Sequence, residues 1–210
     1  DIIKVNNAKD QYQKLLELLK QDYKTDKSVA VLYRNNESVL PLISLAKREK
    51  LELTYKDVNN SLFFSFFAIG DILTFMKFSL NLCDAELFSK IYYKLGAYLS
   101  KPISEYACSQ SKKEPTKPVF SILMENNDFY KKHSAFGNLR IKFGGLQYKS
   151  PVAAIEFILS SLHYQEFIDR KIEDGMSEYM IKHKINVLKA VAQYHDSMPS
   201  FLKAIEEIQY

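Results

Sequence analysis

No tryptophan occurs in these 210 residues, cysteine occurs twice, and glycine and proline six times each. Two cysteines, Cys83 and Cys108, are too few and too isolated for a disulfide framework or a thiolate zinc site. As ordinary thiols they suit a reducing compartment. None of the six glycines (Gly70, Gly96, Gly137, Gly144, Gly145, Gly175) is followed by lysine. The chain therefore lacks a phosphate loop of the G-x-x-x-x-G-K-[ST] kind, which needs glycine for close backbone approach and lysine to meet the phosphates. No ATP turnover is expected of this chain by itself. Apolar runs fall well short of the roughly 20 residues that span a bilayer, and no signal-peptide pattern opens the sequence. We expect a cytoplasmic protein without a membrane partner. The four histidines, His133, His163, His183 and His195, have no metal-ligand spacing, and no nucleophile elbow or carboxylate pair stands out. No catalytic or metal-ligating residue is therefore assigned. Asp1 opens the chain without a methionine, and we expect an excised piece of a longer protein.

What is present is a globular composition: 47% of residues are apolar and 26% charged, enough for one ample core or two small domains. The formal net charge of +4 is modest, but its distribution is uneven. Between Lys112 and Lys149 eight lysines and arginines face only three carboxylates, so this stretch carries the whole positive excess. Lys112, Lys113, Lys131, Lys132, Arg140 and Lys142 are the candidates for duplex or phosphate contacts, because lysine and arginine placed against phosphates release condensed counterions. The plainer reading of the same residues is a solvated face that keeps the protein soluble.

Periodicity divides the chain. Ala8, Tyr12, Leu15, Leu16 and Leu19 fall on one helical face, with Asn7 as the cap and Asp10 three positions on. Val39, Leu40, Ile43 and Ala46 form a second face, where Ser38 can cap and Pro41 fits the first turn. Leu51 to Tyr55 alternates like a half-buried strand. From Ile69 onward the period is helical. Ile69, Ile72, Leu73, Met76 and Leu80 make one stripe, and Leu87, Phe88, Ile91, Tyr92 and Leu95 another beyond a turn at 81–84. Lys101-Pro102 and the run from Ser111 to Pro118 read as linkers or loop tips. Val119 to Tyr130 reads as helix, whereas Gly144-Gly145 leaves Phe136 to Tyr148 open between helix and hairpin. Ser150 caps a helix with Pro151 at its first position, another runs from about Ser177 to Tyr194, and a last one carries Phe201, Leu202, Ile205 and Ile208.

The most informative stretch is Val29 to Asn36. Its four-residue apolar run reads as a short buried strand that ends in Arg34, with Asn35-Asn36 forming a turn. Polar groups held at the end of a buried strand suit a binding site. Arg34 and Asn36 are the candidate site residues. On the plainer reading, Arg34 pairs with a carboxylate at the edge of the core and Asn36 caps the next helix.

Val29-Ala30-Val31-Leu32-Tyr33-Arg34-Asn35-Asn36 resembles the A-V-L-Y-R-x-N segment of the second RecA-like domain in UvrD/Rep-type superfamily 1 DNA helicases. Leu53-Thr54-Tyr55 resembles that family's I-P-Y strand. Phe63-Phe64, followed by Ile69-Gly70-Asp71-Ile72-Leu73, resembles its F-F-x-x-x-E-I-K-D-x-L segment. Ser150 to Ile155 and Leu162-His163-Tyr164 are similar to the s-P-x-x-A-I and l-G-Y pieces of its helical insertion. The resemblance implies a mostly α chain with a small α/β portion: a helical 2B-type insertion on a partial RecA-like, P-loop NTPase-type domain. Its expected bounds are 1–78 for part of domain 2A, 79–196 for the 2B-like insertion and 197–210 for a return helix. It further implies an ATP-dependent parent enzyme that uses ATP and Mg, with neither held by this fragment. The implied partners are DNA, as single strand and as single/double-strand junction, and proteins met through the helical domain. By the match, Arg34 would meet a phosphate and Asn36 the backbone or a base. Two departures limit the carry-over. The charges before Asp71 are replaced by Ser65, Phe66, Phe67, Ala68 and Gly70, and Gly96-Ala97-Tyr98-Leu99 stands where many members have an R-G-I-G turn on duplex DNA. The competing expectation is a stand-alone helical binding or scaffolding module for an acidic partner or nucleic acid.

Overall fold

A computed structural model describes residues 2–22, 29–54 and 60–209. Among these residues the regular elements are helical, and no strand occurs. No helix among them is long and apolar enough to cross a membrane. The chain divides into two units: unit 1 comprises Asp1–Ile69 and Tyr179–Tyr210, and unit 2 comprises Gly70–Glu178. Unit 1 is thus discontinuous in sequence, with unit 2 inserted into it. These borders lie nearer to residues 70 and 178 than the 78 and 196 expected from sequence.

In unit 1, α1 (Ala8–Asp22) begins where Asn7 accepts a hydrogen bond from the Asp10 amide at 2.9 Å and donates one to the Asp10 carboxylate at 3.0 Å. Leu16 and Leu19 on its inner face pack with Leu42, Leu45 and Ala46 of α2 (Leu40–Arg48) and with Tyr194. Ser38 is not the cap of α2. A 3-10 turn over Asn36–Val39 feeds directly into the helix, and the Ser38 hydroxyl donates to the Asn35 carbonyl instead. Pro41 sits in the first turn of α2, as expected. The short α3 (Asn60–Phe64) and the apolar face of α12 (Met198–Gln209) complete this core, with α12 against both α2 and α3. The remaining long helix is α11 (Glu178–Ala192), which buries Ile181, Ile185, Leu188 and Val191.

The expected buried strand at 29–34 is a correction. The segment has no regular structure, Leu32 is 94% exposed, and only Val31 turns to the core formed by α1 and α2. Leu51 to Thr54 is likewise irregular, although Leu51 and Leu53 pack on the same cluster, and Tyr55 lies outside the described residues. The physical reason is that a strand needs neighbours for its N–H and C=O groups. Two such segments separated by one helix do not supply them here.

His195 ties α2 to α12. Its Nε2 lies 3.2 Å from the buried Ser44 hydroxyl, its Nδ1 lies 3.4 Å from Ser200 Oγ, and its ring packs on Phe201. Burial first, and then the Arg48 guanidinium, hold its pKa below the usual imidazole value, while Asp196 and Glu207 act in the opposite sense. As pH falls, the unfolded chain therefore takes up this proton before the folded one. Stability is complete above the unfolded value of about 6.5 and is lost below it. Denaturation midpoints are expected to fall between about pH 7.5 and about pH 5.5, and to fall less in His195→Gln.

Unit 2 takes up α4 (Phe67–Leu80) from Gly70 onward. It continues through α5 (Ala85–Ile91), α6 (Lys101–Ser111), α7 (Val119–Glu125), α8 (His133–Leu146), α9 (Pro151–Ser160) and α10 (Tyr164–Glu173). Asp84 caps α5 by accepting from the Leu87 amide at 2.9 Å, and Ser150 caps α9. Each such cap contributes about 1 kcal/mol. Lys101-Pro102 is the first turn of α6 rather than a linker, because proline there forfeits no intrahelical bond. The 112–118 segment is a loop, as expected. Gly144 and Gly145 lie inside α8, so Phe136 to Leu146 is helix and not hairpin.

Without tryptophan, phenylalanines fill this core. Phe78 meets Phe88, Phe120 and Phe143 at centroid separations of 5.8, 5.9 and 5.0 Å, and Phe75 joins Phe143 to Tyr164. Beside them lies a buried polar triad: Asp71 accepts from Lys94 Nζ at 2.5 Å and from the Tyr164 hydroxyl at 2.7 Å. Burial, and then the Asp71 charge, push the Tyr164 phenol well above its usual range.

Candidate nucleic-acid interface

Arg34 and Asn36 stand at the mouth of the 3-10 turn, both exposed. Arg34 makes no ion pair and Asn36 caps no helix among the described residues, so neither part of the plainer reading describes them. The next residue, Glu37, is the hinge of the site. Its carboxylate is bound by the ammonium of Lys184 on α11. Lys184 is buried, and its ammonium lies 5.4 and 5.1 Å from the ring centres of Phe63 and Phe66. The other carboxylate oxygen faces His183 Nε2 at 3.8 Å, too far for a hydrogen bond. His183 stacks on the exposed Tyr179, with ring centroids 6.1 Å apart and planes 10° from parallel.

Charge and hydrogen-bonding capacity are therefore separated around this turn. The Glu37 carboxylate is neutralised inward by Lys184, and the Arg34 guanidinium is left facing solvent with its forked donors free to meet an anion. Glu37, Lys184, His183 and Tyr179 were not legible in the sequence. Glu37 stands three residues after Arg34, but Tyr179, His183 and Lys184 lie 145 to 150 residues beyond it along the chain, and no short motif marks the pairing.

The basic residues from Lys112 to Lys149 all belong to unit 2, and the fold spreads them over several elements. Lys112 and Lys113 follow the end of α6 and are exposed, as is Arg140 on α8. Lys131 is exposed and lies over the Tyr130 ring at 5.8 Å. Others have internal partners. Lys117 pairs with Glu114 and Glu125, Lys132 donates to the Ala97 carbonyl at 3.1 Å, and Lys142 donates to the Ser161 carbonyl at 2.6 Å. Lys149 rests over Phe157. Of the six candidates, Lys112, Lys113, Lys131 and Arg140 thus present free charge outward, while Lys132 and Lys142 pin turns.

Those turns hold unusual backbone. Tyr98 and His163 both have left-handed conformations, with φ of 48° and 61°, and the Gly96 amide donates to Leu162 O at 3.5 Å. A Cβ on Gly96 would come within 2.7 Å of the His163 Cβ, which explains a glycine there.

Fold and site define a mostly α protein in which a helical unit interrupts a second one. No protein-family model matches the chain, and no curated protein matches it.

Proposed function

We propose that the chain is part of a UvrD/Rep-like ATP-dependent DNA helicase, with unit 1 as a portion of motor domain 2A and unit 2 as the inserted helical domain 2B. The observation that carries this reading is the discontinuity of unit 1. The chain leaves it after the Phe63-Phe64 segment, builds seven successive helices, and returns at Tyr179. That layout agrees with the order of the segments that resemble the family. A smaller agreement lies at His163, which occupies the glycine position of the l-G-Y pattern and takes the left-handed conformation that favours glycine.

In this reading the parent's two RecA-like domains close on ATP and step along one strand, in the family's usual 3′ to 5′ direction, while the inserted domain regulates unwinding. ATP and Mg would be held by residues outside this chain. None of its own glycines is followed by the lysine that a phosphate loop needs. Arg34 supplies a sequence-independent hold on a phosphate, and Asn36 a hydrogen bond to backbone or base. The alternative, a stand-alone helical module for an acidic partner, draws on the exposed Lys112, Lys113 and Arg140 of unit 2.

The test is equilibrium binding of the purified chain to a duplex with a single-stranded tail across a salt series. Affinity is expected to fall steeply with salt. Arg34→Ala is expected to weaken binding and to flatten the logarithmic salt dependence by about one counterion. Asn36→Ala should weaken binding with little change in slope. Binding that is indifferent to both substitutions, but abolished by loss of Lys112, Lys113 and Arg140, would select the alternative.

A further inference from the structure

We infer that Tyr179 and His183 form a base-stacking step that continues the Arg34–Asn36 site, so that a single strand held by phosphate at Arg34 lays a base on the outer face of Tyr179. The inference rests on the nucleic-acid reading above and adds residues to it. Tyr179 is 79% exposed, and its ring is held by a parallel stack on its neighbour one helical turn away. His183 in turn lies against Glu37, the residue after Asn36, and Lys184 clamps that same carboxylate from the next position on α11. Glu37 thus links the 34–37 turn to the ring pair within unit 1, through its contact with His183.

The chemistry selects a single strand over other occupants. A stacked ring with one open face offers every base a π-surface without reading its identity, and an unpaired guanidinium nearby offers a phosphate a partner. A duplex keeps its bases stacked on each other and has no free face to give. Glu37, which lies against His183, is compensated by Lys184 and does not repel the strand.

The experiment is fluorescence anisotropy of labelled oligothymidylate with the full chain, as wild type and as Tyr179→Ala, Tyr179→Phe and Arg34→Ala. A second oligonucleotide carries 2-aminopurine, whose emission falls on stacking. Tyr179→Ala is expected to weaken binding by about 5- to 150-fold and to remove the emission change. Tyr179→Phe keeps both within about two-fold of wild type, because the ring face is retained. The exposed position makes misfolding of these variants checkable by an unchanged denaturation midpoint. If Arg34→Ala weakens binding while Tyr179→Ala leaves affinity and emission unaltered, the stacking step is wrong and the helicase reading stands. If the wild-type chain binds no single strand at low salt, both are overturned.

Discussion

Asp71→Ala is expected to lower the stability of unit 2 by about 3–5 kcal/mol, the range for removing one partner of a buried ion pair. Among the described residues Asp71 is the one carboxylate bonded to Lys94, whose side chain is 9% exposed, and it also accepts from the Tyr164 hydroxyl. Without it a buried ammonium keeps only the faces of Tyr93 and Phe167, at 5.0 and 5.7 Å. Such contacts contribute about 0.5–2 kcal/mol and do not replace an anion. The triad joins the start of α4, the turn after α5 and the first residue of α10, so its loss loosens both ends of the unit. Tyr164→Phe keeps the Asp71–Lys94 pair and should cost only about 1–2 kcal/mol. The double replacement Asp71→Leu with Lys94→Met should recover most of the Asp71→Ala loss, since an apolar pair of similar volume avoids the desolvation penalty. Because the chain has two units, the measurement is hydrogen exchange of the α4 and α10 amides rather than a single unfolding curve. Unchanged protection in Asp71→Ala would show that the triad carries no such weight.

The same triad shows what the sequence can and cannot say. Asp71 and Tyr164 each stand out as members of segments resembling a helicase, but nothing in the sequence pairs them across 93 residues or adds Lys94. Helices were readable where local chemistry decides the conformation. Asn7 and Ser150 cap as short polar side chains before an apolar period, and Pro41 and Pro151 mark first turns. Lys101-Pro102 misled because proline punctuates loops and helix starts alike, and only the residues after it distinguish the two. The 29–34 strand misled for a different reason. An apolar β-branched run specifies a strand only in the presence of a sheet, and pairing partners are a long-range property that no local pattern records. The candidate site was half legible: Arg34 and Asn36 follow from a local motif, whereas Glu37, Lys184, His183 and Tyr179 meet only through the return of α11 to unit 1.

Lys184→Ala is expected to destabilise unit 1 by about 2–4 kcal/mol, somewhat below the range for a fully buried pair because the Glu37 side chain is 26% exposed and water recovers part of its solvation. Two losses combine. Glu37 is left facing the His183 ring at 3.8 Å, beyond hydrogen-bond reach, and Phe63 and Phe66 lose the ammonium and the aliphatic stem that cover their rings. Function should respond with stability but by a separable route. An uncompensated carboxylate three residues after Arg34 offsets the guanidinium's pull on a phosphate, so binding to a single strand should weaken most at low salt, where exposed charges are least screened. Glu37→Gln with Lys184→Met removes both charges together and should restore the low-salt affinity even where stability remains reduced. If the single and double variants bind alike, Glu37 acts only as a fastening between α11 and the 3-10 turn. If the double variant alone recovers, the Lys184 charge shields the strand from Glu37, and burying an ion pair beside Arg34 is how unit 1 keeps that arginine available.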